Sequence, residues 1–146
     1  MIRPTCLFLM MLLTIDVQAR TLNDENAARK VADQFMTQLT SGEVESGYNL
    51  LSAYVGVDFD QFNARGKKIA NDLKQIEAST GKPIAFALLS TQTVPTHFLK
   101  LTYLLKFASA AIVWELNFYQ PEAGWNLVDV SYHTDINKLF RLVEKP

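Results

Sequence analysis

The chain has almost no cysteine: Cys6 is the only one in 146 residues. Disulfide frameworks need pairs of cysteines and thiolate metal sites need clusters, so both are excluded. Histidine is nearly as scarce. His97 and His133 are the only two, and a metal site gathers three or four ligands, so no metal and no cofactor is expected. Charge of one sign is also missing. The 14 basic and 15 acidic residues leave a net charge of −1, without the basic footprint that nucleic-acid binding leaves. Lys67 and Lys68 form the densest basic spot and read as a solvated helix face. Several motifs are absent as well: the Gly-x-Ser-x-Gly elbow, a phosphate-binding Gly-Lys-Ser/Thr loop, Gly-x-Gly-x-x-Gly and His-Glu-x-x-His. No catalytic residue is therefore assigned from a motif, and Gly81-Lys82-Pro83 reads as a helix stop.

Long apolar runs are missing everywhere except at the start. Arg3 precedes an uncharged apolar stretch from Leu7 to Ile15, and Val17-Gln18-Ala19 ends that stretch in a small-x-small pattern. This is the order of a secretory signal peptide, so residues 1–19 are expected to be cleaved after Ala19 and the product to be periplasmic or secreted. The run falls short of the ~20 residues that a membrane-spanning helix needs. Cys6 comes before the apolar stretch, whereas lipid attachment needs a cysteine at the cleavage boundary. Cleavage would leave residues 20–146 without cysteine, which also removes thiol catalysis. Such a domain must be stable through its core alone, and a chain of this size buries roughly two-thirds of its unfolded surface.

Residues 20–80 carry helical spacing. Thr21 or Asn23 can cap a helix whose first turn holds Asp24 and Glu25, where the helix dipole favours acids. Ala28, Val31, Ala32, Phe35 and Leu39 then form its apolar stripe, and Ser41-Gly42 stops it. A short second helix carries Tyr48, Leu51, Tyr54 and Val55 and ends near Gly56. Asp58 to Gln61 fits a capping box for a third helix, with Phe62, Ile69, Leu73 and Ile76 on its buried stripe. Gly66 falls on that stripe, where a missing side chain lets another backbone approach. The helix ends at Gly81.

From Pro83 the apolar period changes to two. Strands are expected over Ile84–Val94, His97–Phe107, Ile112–Tyr119 and Trp125–Tyr132, with a turn over Gln120–Gly124 and a short last helix, Ile136–Leu142, capped by Asp135. Leu99, Leu101, Tyr103, Leu105 and Phe107 share one face of the second strand. Ile112, Trp114, Leu116 and Phe118 share one face of the third. Helices first and strands last, with hairpin-length connections, give an α+β fold: three N-terminal helices packed on a curved antiparallel sheet of about four strands, in one domain over 20–146.

An opening helix over Ala27–Leu39, Ser41-Gly42 before a Tyr-containing short helix, long strands, and Phe118 to Leu127 with Gly124-Trp125 opening the last strand form a further pattern. In these features the chain resembles the nuclear-transport-factor-2-like superfamily of cone-shaped α+β rolls, in particular small exported bacterial domains of unassigned function. The resemblance implies a cavity between helices and sheet that takes a small apolar ligand, or a sheet used for dimerisation or peptide capture. Fold alone does not choose among these uses. Enzymatic members place an acid or histidine in the cavity beside an oxyanion donor, and no His/Asp pair of that kind is present.

Phe62, Tyr103, Trp114 and Phe118 are the candidate inner aromatics. They either fill the core or, in a roll with an open mouth, line a pocket. Asp129 lies between Val128 and Val130, so alternation puts it on the face opposite the valines; buried, it could act as a base. Glu115 has the parity opposite to Trp114 and Leu116, and Asp58 is the third acid to consider. His133 and Asp135 share a strand end, whereas His97 begins a strand. Arg65 either receives an anionic ligand or snorkels at its helix edge. The expected function is an exported, non-enzymatic binding or interaction module for a small apolar ligand or a protein partner, with a homodimer through the sheet as one form. The alternative is an isomerase- or dehydratase-like enzyme with a cavity acid.

Overall fold

In the computed structural model, residues 20–56 and 58–143 are described, and the proposed leader, residues 1–19, lies outside them. Helices α1 (Glu25–Thr40), α2 (Val44–Ser52) and α3 (Phe59–Thr80) precede strands β1 (Ala85–Val94), β2 (Phe98–Lys106), β3 (Ala111–Tyr119) and β4 (Asn126–His133), and a short α4 (Asn137–Val143) follows. The strands form one antiparallel sheet in the order β1-β2-β3-β4. The expected α+β architecture is the observed one.

Local chemistry sets the helix ends. The cap of α1 is Asp24, one residue beyond the expected pair: its carboxylate accepts the Ala27 N–H at 2.7 Å. Neither Thr21 nor Asn23 takes that place, because the backbone between them is held elsewhere. Leu22 exchanges two backbone hydrogen bonds with Trp125, at 2.9 and 2.7 Å. In α3 the Asp58 carboxylate accepts from the N–H groups of Asp60 and Gln61 at 2.9 and 3.2 Å. Helix α2 stops at Ser52, before Tyr54 and Val55. Val55 is instead bridged to Leu127 of β4.

The core lies between α1–α3 and one face of the sheet. Phe35 of α1 meets Tyr48 of α2 and Trp114 of β3 edge-on, at ring-centroid distances of 5.6 and 5.4 Å. Trp114 in turn stacks on Tyr132 of β4 at 5.2 Å. Each of these large rings contributes a contact worth about 0.5–1.5 kcal/mol beyond its buried area. The close approach expected at Gly66 occurs, but its partner is a side chain. A Cβ at this position would stand 2.5 Å from Tyr48 Cγ, so the glycine lets α3 close over the Tyr48 ring.

Two polar ties join helices to sheet at opposite flanks. The Tyr103 hydroxyl on β2 donates to Asp33 of α1 at 2.7 Å. The Tyr132 hydroxyl on β4 donates to Asp72 of α3 at 3.3 Å.

Candidate functional site

The candidate inner aromatics are packed into the core. Tyr103, Trp114 and Phe118 have no exposed surface and Phe62 is buried, all within one apolar cluster with Phe35, Leu39 and Leu51. Phe62 also reaches a surface cleft. That cleft, of about 240 Å³, lies between the start of α3 and β4 and is lined by Asp58, Gln61, Phe62, Arg65, Val128 and Asp129.

The cleft acids are occupied. Asp58 spends its carboxylate on the α3 cap. Asp129 faces Arg65 Nη1 at 3.5 Å and accepts from Asn117 Nδ2 at 3.4 Å, and both members of the ion pair are about half exposed. Alternation holds for Asp129 against the buried Val130 but fails at Val128, for a structural reason. A β-bulge shifts the register between β3 and β4, so that Asn117 stands against Asp129 and Phe118 against Leu127, with Val128 unpaired. The bulge turns Val128 and Asp129 toward the cleft, while Val130 stays in the core. Arg65 is drawn to Asp129 and closes the cleft wall.

The remaining candidates are dispersed. Glu115 lies on the outer sheet face, 3.8 Å from Lys100 Nζ. His133 pairs across from Val113, whereas His97 sits in the β1–β2 turn and its carbonyl accepts from the Gln120 N–H. The two histidines thus stand at opposite ends of the strands. Among the described residues no three His, Cys, Asp or Glu side chains are placed to hold a metal. No described helix is long and apolar enough to cross a membrane.

Three tyrosines behave as core groups. Burial pushes the Tyr48 hydroxyl well above its usual range, against a smaller opposing effect of Arg65. Tyr103 is raised by burial and then by its hydrogen bond to Asp33. Tyr132 is raised by burial and by Asp72. All three stay neutral phenols that can donate a hydrogen bond but give up the proton less readily than a free tyrosine. The Tyr48 hydroxyl and Trp114 Nε1 are buried without a protein hydrogen-bond partner.

The outer sheet face has a row structure that alternation predicts only in part. Across the strands, Val94 pairs with Phe98, Phe98 with Tyr119, and Tyr119 with Asn126. Val94, Phe98 and Tyr119 are exposed, and the Phe98 and Tyr119 rings pack at 5.0 Å. The next two rows are polar: Gln92, Lys100, Asn117 and Asp129, then Ser90, Thr102, Glu115 and Ser131. Thr102 and Val113, nearer the other end of this face, are fully buried. Tyr119 and Glu115 were legible as outward residues from their parity. Phe98 and Val94 were not singled out, although the inward set Leu99–Leu101–Tyr103 already places Phe98 outward.

The β1–β2 turn beside that apolar row is strained. Pro95 and Thr96 occupy its middle, the His97 N–H donates to the Val94 carbonyl at 3.0 Å, and Thr96 has φ 61°. A positive φ in the second central position suits glycine or asparagine, and a β-branched residue there is costly.

Against protein-family models, curated proteins and solved structures alike, the chain finds no match.

Proposed function

We propose that the protein is an exported, non-enzymatic interaction module that works through its sheet and associates with itself. The observation that carries this reading is a contrast within one sheet. The inner face is filled by Trp114, Tyr103 and Phe118, while the outer face keeps Val94, Phe98 and Tyr119 in solvent. Exposed apolar side chains grouped in this way mark contact surfaces more often than isolated ones do. An enzyme of the cavity-acid type needs a carboxylate held inside the fold. Asp58, Glu115 and Asp129 are each engaged at the surface, in a helix cap or an ion pair. A small-ligand carrier needs interior room, which the aromatic cluster occupies. Export and kinship with the cone-shaped rolls belong to the same proposal, supported by the Arg3-to-Ala19 pattern and by the order of helices and strands.

The test is native mass spectrometry and light scattering on the processed protein. A dimer without a bound small molecule is expected. A retained small molecule would sink the interaction reading, and a strict monomer at high concentration would sink self-association.

A further inference from the structure

The two outer strands of the sheet are guarded very differently. β4 is shielded on its free side: the Leu127 N–H donates to the Tyr54 carbonyl at 2.9 Å, and its carbonyl accepts the Gly56 N–H at 3.3 Å. The Leu22–Trp125 bridge closes the chain just before β4. β1 has no such cover among the described residues. Among the described residues no backbone group from Ala85 to Thr93 bonds outside its own sheet, yet alternate residues of an outer strand turn their N–H and C=O groups outward. Natural edges are usually blunted with lysine, proline or inward charges. The ten residues of β1 contain no charge and no proline. One guard is present, the bulge at Leu89, and it lies before the segment Ser90–Val94.

Beyond the bulge, Thr91 to Val94 are exposed. Three of the large apolar side chains left in solvent lie along the same strand: Ile84 before it, Leu89 at the bulge and Val94 at its end. An antiparallel strand pairing with its own copy puts the two-fold axis through one residue, which then faces itself. An axis through Gln92, the centre of the exposed segment, sets Thr91 opposite the partner's Thr93 and Ser90 opposite the partner's Val94. Threonine pairs across strands are favourable, and no like charges meet.

Resting on the reading of this chain as a self-associating module, we propose that its partner is a second copy added edge to edge through β1, giving a continuous eight-stranded sheet centred on Gln92. Val94 belongs both to this junction and to the apolar row of the outer face, whose Phe98 and Tyr119 lie one and two strands in from the edge.

The test is sedimentation equilibrium on the processed protein and three variants, with circular dichroism to check the fold. Gln92→Lys places two ammonium groups across the axis and is expected to weaken the dimer by at least about tenfold. Gln92→Glu is expected to do the same, and an equal mixture of the two variants to restore association as a heterodimer. Tyr119→Lys is expected to leave the dimer intact. If Tyr119→Lys separates the copies and the Gln92 variants do not, the edge is overturned while self-association stands. If Gln92→Lys and Gln92→Glu both weaken the dimer but their mixture does not recover, the Gln92-centred register is overturned. A wild-type monomer at every concentration overturns the edge contact together with self-association.

Discussion

The sheet has two outer strands of similar length and opposite character. β4 is eight residues long, bulged at Val128, tied by Tyr132 to α3 and bonded through Leu127 to the segment after α2. β1 is ten residues long, uncharged, and free on its outer side among the described residues. One strand is built into the domain on both sides, and the other is open on its outer side among the described residues. The difference has little to do with strand propensity, since both are rich in β-branched and aromatic residues. It arises from where the helical half of the chain returns to the sheet: Leu22 and Val55 both land at the β4 side.

Breaking the β4 latch should have the largest effect. Leu127 is fully buried as well as bonded along the edge, so Leu127→Ala is expected to cost about 2–5 kcal/mol in urea denaturation. Gly124, in the turn before β4, has φ 84°, and a Cβ there would stand 2.8 Å from Thr21 Cβ. Gly124→Ala should therefore cost about 1–3 kcal/mol through strain and crowding at the latch.

A pH dependence follows from the helix–sheet ties. Tyr132 and Tyr103 have folded pKa values above their unfolded ones. Their contribution is thus complete below the unfolded value near 10 and is lost as pH rises through the folded values. The urea midpoint should begin to fall near about pH 10 and keep falling above it, and Tyr132→Phe with Tyr103→Phe should flatten that fall. An unchanged slope in the double variant would show that Tyr103 and Tyr132 do not set this pH dependence.

The smallest effects belong to the β1 side. Thr96→Gly relieves the positive φ in the β1–β2 turn and should raise monomer stability by about 0.5–1 kcal/mol. Gln92→Lys should move monomer stability by no more than about 0.5 kcal/mol, because Gln92 is exposed. A large loss in that variant would mean that β1 is already part of the core in the monomer.

Much of the fold was legible because local signals agreed with one another. Asp58 and Gly81 bracket α3, and the change of period at Pro83 marks the passage from helices to strands within a residue or two. The misses have long-range causes. Thr21, Asn23 and Asp24 are all able to cap, and only the Leu22–Trp125 bridge decides for Asp24. The placement of Val128 depends on a bulge, and one extra residue in a ladder overturns an argument from parity at that residue. The inner aromatics were legible as a set, but whether they fill or line the interior depends on how closely α3 can approach. Gly66 settles that by admitting the Tyr48 ring. The open edge is the least legible feature, since no single residue of β1 announces it. It emerges from an uncharged sequence together with the strand order.

Hydrogen–deuterium exchange at two protein concentrations tests the contrast between the edges most directly. The outward-facing amides among Thr91–Val94 are expected to exchange fast in dilute protein and to gain protection as concentration rises, while those around Leu127 are protected throughout. Fast exchange of those outward-facing amides at every concentration, or protection equal to that of β4 at the lowest, would contradict this contrast.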